Sequence, residues 1–124
     1  MSRSIERFTP RELGPKDWGI ELLVAHTDFY TGKVLTMREG TAGPLQYHDM
    51  KDETAYLVSG KAEVTTAIGG KLVTRPMRAG ESIHIPPGVV HRVKAVTECV
   101  FFEASTPHFD DRVNVEDQYG DDAA

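Results

Sequence analysis

The chain is short of cysteine, of basic clusters and of long apolar runs, and each shortage closes off a class of protein. A single cysteine, Cys99, excludes an internal disulfide. Its place in the apolar run Cys99-Val100-Phe101-Phe102 marks a buried, inert thiol rather than a reactive one. No stretch approaches the roughly 20 apolar residues of a membrane helix, and the opening Met1-Ser2-Arg3-Ser4-Ile5-Glu6 lacks the apolar segment of a secretion signal. A cytoplasmic address is expected. Lys and Arg number 14 against 19 Asp and Glu, for a formal charge of −5, and they form no cluster. Nucleic acid and anionic membranes are approached through clustered cations, so neither is an expected partner. No internal repeat or low-complexity tract points to an array.

What remains is the texture of a single small β domain. At 124 residues, with 40% hydrophobic and 27% charged residues, the chain can bury one core. Short apolar or β-branched runs at Ile20 to Ala25, Lys33 to Met37, Thr54 to Val58, Ala62 to Ile68, Lys71 to Arg75, Ser82 to Ile85, Val89 to Val96 and Cys99 to Ala104 are separated by Gly, Pro or polar turns. Gly69-Gly70 is a direct hairpin signal. Many short strands with frequent turns favour a jelly roll or small barrel. Residues 1–18, with Pro10 and Pro15, read as an arm lying on the barrel or on a neighbouring subunit, and residues 19–119 as the barrel domain. Asp111 to Tyr119 is the one candidate helix, and residues 120–124 read as a frayed tail.

Two segments carry the chemistry. The first runs from Gly40 through Gln46, His48 and Glu53 to Gly60; the second runs from Gly80 through Pro86-Pro87-Gly88 to His91. Side chains two apart on a strand share a face, so Gln46 and His48 point the same way. Glu53 is expected to fold back onto that face after the polar turn Asp49-Met50-Lys51-Asp52, so that one hairpin supplies three donors. Pro86-Pro87-Gly88 cannot continue a ladder, and the sharp turn there should deliver His91 to the interior. Gln46, His48, Glu53 and His91 are thus the candidate ligands of one divalent transition metal (Mn, Fe, Co, Ni or Zn). His26, His84 and His108 have no matching partners and read as structural. So does Arg92, which strand alternation turns away from His91.

The spacing of these residues resembles the two signature motifs of the cupin superfamily, which implies a double-stranded β-helix, a jelly-roll barrel. Gln46 stands where most cupins have a first His, and Ala95 where many carry an Asn. A finer likeness resolves the first of these departures. Leu45-Gln46-Tyr47-His48, Lys51-Asp52-Glu53, Trp18-Gly19, Glu103, Asp110-Asp111 and Glu116-Asp117-Gln118-Tyr119-Gly120 resemble the cupin domain of type II mannose-6-phosphate isomerases, in which the first ligand is characteristically Gln. By that resemblance, Lys33 and Glu103 are the candidate catalytic groups of the pocket, and Tyr119 packs near one mouth. Asn114 and Asp121 stand where the family has arginines, and Thr54 where it has a His. A sugar phosphate needs cationic partners, so the missing arginines argue against a phosphorylated substrate.

The resemblance implies a metal-dependent isomerase of a small polar molecule, a sugar derivative, with the ion as Lewis acid. Two other classes stay open. His48, His91 and Glu53 also satisfy the two-His-one-carboxylate triad of non-haem Fe(II) dioxygenases and lyases. A non-catalytic metal- or sugar-binding module is the third. A homodimer is expected by analogy with small barrels of this kind.

Overall fold

The computed structural model describes residues 3–119, and the expected tail at 120–124 lies outside them. The described residues form β1 (Arg11–Glu12), β2 (Gly19–His26), β3 (Thr31–Met37), β4 (Gln46–His48), β5 (Glu53–Ser59), β6 (Lys61–Ile68), β7 (Lys71–Arg78), β8 (Ser82–Ile85), β9 (His91–Ala95), β10 (Cys99–Ser105), β11 (Arg112–Asn114) and α1 (Glu116–Tyr119). Two antiparallel sheets face one another, in the orders β1-β2-β3-β10-β5-β8 and β11-β4-β9-β6-β7. This is the all-β jelly roll the sequence predicts, with the short C-terminal helix. No helix of the described residues is long and apolar enough to cross a membrane.

Alternation along the strands sorts the side chains. On β5, Glu53, Ala55 and Leu57 are buried while Thr54, Tyr56 and Val58 are exposed; on β10, Cys99, Phe101, Glu103 and Ser105 point inward. Both strands therefore begin or end with polar groups and carry apolar ones at the opposite end. The apolar end, with Met37, Leu57, Met77, Cys99 and Phe101, forms the hydrophobic core. The polar end forms the site. Gly69 and Gly70, both at positive φ, join β6 to β7 as the hairpin signal requires. Pro76 is tolerated because β7 is an edge strand.

Cys99 is fully buried, and its Sγ–H donates to the Lys61 and Thr97 carbonyls at 3.1 and 3.3 Å. Burial pushes its thiol pKa up. Gly60, next to it, has φ +98°, and a Cβ there would overlap the Glu98 carbonyl oxygen and stand 2.9 Å from the Cys99 sulfur. Gly60→Ala is expected to cost ~3 kcal/mol, since backbone and a buried sulfur must both yield. Urea unfolding checks this: an unchanged midpoint would show that the turn relaxes freely.

Three short strands depart from the sequence reading. Arg11–Glu12 pairs with Leu22–Leu23, so part of the arm is the edge of the larger sheet. β4 is only three residues long, and it is stabilised on both sides, by β9 and by β11. The candidate helix at Asp111 to Tyr119 is a helix only from Glu116, because Arg112–Asn114 completes the edge of β4 in the register Arg112↔His48 and Asn114↔Gln46. Asn114 Oδ1 then accepts from the Glu116 N–H at 3.0 Å where the helix begins.

Candidate metal centre

The four expected donors arrive from both sheets. Gln46 and His48 lie on β4, His91 opens β9 directly beside Gln46, and Glu53 opens β5 in the facing sheet. The single-hairpin expectation is therefore corrected: the turn 49–52 crosses from one sheet to the other, and Glu53 meets the imidazoles across the gap. The crossing is pinned by Asp111 Oδ2, which accepts from the Met50 and Lys51 backbone N–H groups at 2.8 and 2.7 Å, and by Thr106 Oγ1, which accepts from Asp52 N–H. The Pro86-Pro87-Gly88 turn behaves as expected. β8 ends at Ile85, Gly88 takes φ +82° and donates to the His48 carbonyl at 2.7 Å, and β9 begins at His91.

Hydrogen bonding fixes the protonation of both imidazoles. His91 Nδ1 lies 2.9 Å from the Val89 carbonyl, which can only accept, so Nδ1 carries a proton and, in the neutral tautomer, Nε2 has the lone pair. His48 Nδ1 lies 3.0 Å from Asp111 Oδ1. Burial works against the charge on Asp111, but the N–H groups of Met50 and Lys51 and the His48 ring outweigh it and hold the carboxyl below its usual range. The pKa of His48 is lowered, first by burial and then by the nearby Lys51 charge, so its ring is neutral near pH 7. Both Nε2 lone pairs then face the Glu53 carboxylate, at 3.6 and 3.9 Å.

Such an arrangement calls for a cation. The ligand atoms of His48, Glu53 and His91 lie within 4.8 Å of one another, and all three residues are buried. Donors each about 2.1 Å from a shared ion stand roughly 3 to 4.2 Å apart, a range that includes both observed separations. Among the described residues, Gln46 Oε1 and Glu53 Oε2 are buried without a hydrogen-bond partner. Buried polar groups are otherwise almost always paired, so these two unpartnered oxygens fit a cation-binding site rather than a closed structural network. Lys51 Nζ stands 3.0 Å from Glu53 Oε2 and offsets its charge, but it is not aligned as a hydrogen bond to that oxygen. The Nδ1 contacts to Asp111 and Val89 are the outer partners that metal-bound imidazoles require.

The donors open into a cavity of about 380 Å³, at the lower end of the range for small-molecule sites. Lys33 and Glu103, opposite each other on β3 and β10, both border it and both are buried. Lys33 Nζ is 3.3 Å from Glu21 Oε1 and lies over the Phe109 ring, 5.2 Å from its centroid. Glu103 Oε1 accepts from Lys51 Nζ at 2.7 Å. Burial opposes the ammonium of Lys51, but Glu103 and Glu53 prevail and raise its pKa well above the usual lysine value.

The remaining histidines stay outside the cluster. His26 stacks edge-on against Phe109, His84 pairs with Asp52 at 2.7 Å in the open, and His108 bonds to Thr106. Tyr119 is not among the residues bordering the cavity, whereas Arg92 does border it although strand alternation turns it from His91. Sequence reasoning missed three residues. Lys51 sits in a turn that reads as solvated; Asp111 and Arg112 sit in a segment that reads as helix. The only signal for Lys51 and Asp111 was their membership of the runs that carry the family resemblance.

Relatives by structure share this architecture. The capsular polysaccharide assembling protein CapF of Staphylococcus aureus superposes with a TM-score of 0.75 at 19% identity, over 86% of this chain and 32% of its own. KdgF of Halomonas sp. gives 0.70 at 22%, over 82% of this chain and 89% of its own. Oxalate decarboxylase of Bacillus subtilis, a protein with Mn(II) centres, gives 0.72 at 22%, over 87% and 31%. The chain thus spans about a third of CapF and of that decarboxylase, and at these identities the likeness is one of fold. No curated protein matches the sequence significantly. The family model of the cupin domain matches residues 33–105, more than half of the chain and a span that includes all four expected donors, and the chain belongs to that family.

Proposed function

We propose that the protein is a metal-dependent enzyme that isomerises a small sugar derivative, in the manner of the mannose-6-phosphate isomerases its sequence resembles, and that it works as a cytoplasmic homodimer. The observation that carries the metal dependence is the meeting of His48, His91 and the Glu53 carboxylate at one buried point, and Gln46, paired in register with His91 and carrying a buried oxygen without a partner, supports a fourth donor. A divalent ion held there by Gln46, His48, Glu53 and His91 supplies Lewis acidity to adjacent carbonyl and hydroxyl oxygens. The Mn(II) centres of the decarboxylase make manganese the first ion to test among Mn, Fe, Co, Ni and Zn. The polysaccharide role named for CapF favours a carbohydrate.

The protein side of the chemistry falls to the buried polar wall. Glu103 holds and returns the proton at a carboxylate oxygen, with its charge balanced by Lys51. Lys33 donates to a substrate oxygen from a position fixed by Glu21 and the Phe109 ring. The apolar floor formed by Phe101 and Ala55 excludes water from one side of the cavity. For the dimer, support comes from the outer face of the larger sheet, where Ile20, Tyr56, Val58 and Phe102 are exposed apolar groups.

One observation favours a second reading: two imidazoles and one carboxylate on a single ion is also the donor set of non-haem Fe(II) dioxygenases and lyases. The test is the metal-loaded protein with aldoses, ketoses and their phosphates, followed by NMR for carbonyl migration and by an oxygen electrode. Interconversion without oxygen uptake is expected. Oxygen consumption with Fe(II) would replace isomerase by dioxygenase, and full metal occupancy without turnover of any compound would leave a binding module.

A further inference from the structure

We propose that the ligand of this cavity carries an anionic group, and that Arg112 at the cavity's border is the residue that clamps it. The inference deepens the metal-dependent reading above and rests on it. In β11, Arg112 stands directly opposite His48, and directly opposed residues of an antiparallel ladder present their side chains on one face. Arg112 therefore shares the face of the metal donors. It is exposed and borders the cavity, so its guanidinium belongs to the entrance rather than to the floor. Among the described residues no carboxylate pairs with it, although the chain is acidic overall and Asp110 and Asp111 precede it.

The neighbouring charges explain why this cation awaits a partner from outside. Around the donors, Lys33 and Lys51 are both committed, the first to Glu21 and the second to Glu53 and Glu103. Asp111 is committed to His48 and to two backbone N–H groups. Arg112 is thus a cation at the cavity's border that none of these committed carboxylates engages. A guanidinium at the mouth offers paired N–H donors in the geometry that a carboxylate or a phosphate accepts. An oxygen-rich ligand long enough to reach from the ion to the entrance would then be held at both ends, by the ion and by Arg112.

Three probes sharing one ring test this: glucose, glucuronate and glucose 6-phosphate, titrated calorimetrically into Mn(II)-loaded protein, parent and Arg112→Gln. The parent is expected to bind at least one anionic probe about tenfold or more tighter than glucose, and Arg112→Gln to lose that preference while keeping its metal. Arg112→Lys should restore part of it, since the charge returns without the fork. Which anion binds tighter tells carboxylate from phosphate. Equal binding of glucose and both anions, binding of none of the three, or a preference that survives Arg112→Gln with full metal content would overturn the proposal. Failure of the parent to bind any divalent ion would instead overturn the reading beneath it.

Discussion

Replacing Lys51 with methionine should destabilise the ion-free protein by about 3–5 kcal/mol, the cost of stripping one partner from a buried ion pair. The side chain of Lys51 is almost wholly buried, with its ammonium 3.0 Å from Glu53 and 2.7 Å from Glu103. Methionine matches its length but leaves two carboxylates facing each other without a counter-charge. Two features separate this outcome from a simple packing defect. A divalent ion on Glu53 would replace part of the lost charge, so the deficit should shrink when metal is added, in thermal or urea unfolding of the two forms. The deficit should also shrink as pH falls, because carboxyls stranded in the interior take up protons more readily folded than unfolded, and each proton removes a buried charge. In the parent the raised pKa of Lys51 means that its contribution is complete through the neutral range and fades only in strong alkali. A variant as stable as the parent in the absence of metal would show that the two carboxylates are solvated or already protonated.

His91→Ala and Glu53→Ala should each reduce bound metal to background, as read by elemental analysis of protein dialysed after loading. Each removes a buried donor from a set of four, and no other His, Cys, Asp or Glu among the described residues joins the cluster. Asp111→Asn tests the support behind the ligand. It keeps the shape at His48 Nδ1 but removes the carboxylate that orients the ring, and metal affinity should fall about 10- to 100-fold. Circular dichroism of all three should retain the β signature, because the hydrophobic core lies at the other end of the barrel. One ion per chain in both alanine variants would refute the ligand set.

The barrel was legible because its longer strands announce themselves. Thr54 to Val58 and Cys99 to Ala104 alternate cleanly, and Gly69-Gly70 marks a turn that few other residue pairs can make. The donors were legible because spacing constrains them: Gln46 and His48 share a strand face, and Pro86-Pro87-Gly88 must turn before His91. Partnership across the molecule was not legible. Arg112–Asn114 has no strand pattern of its own and becomes one because β4 offers an open edge. Nothing local states that Glu53 enters from the opposite sheet, since a four-residue turn can close a hairpin or cross between layers, and the choice depends on Asp111 about sixty residues away. Lys51 was hidden for the same reason. A lysine in a polar turn is ordinarily solvated, and only the facing Glu103 and Glu53 make burial tolerable.

The division of the donors between the two layers has a mechanical consequence. Three of the expected donors belong to one sheet and Glu53 to the other, so an ion bound to all four would be a cross-brace between the two walls, added to the turns that cross between them at that end. In a chain whose lone thiol has no mate, coordination takes the place that a covalent bridge would have in a secreted domain of this size, and unlike such a bridge it can be undone by a chelator.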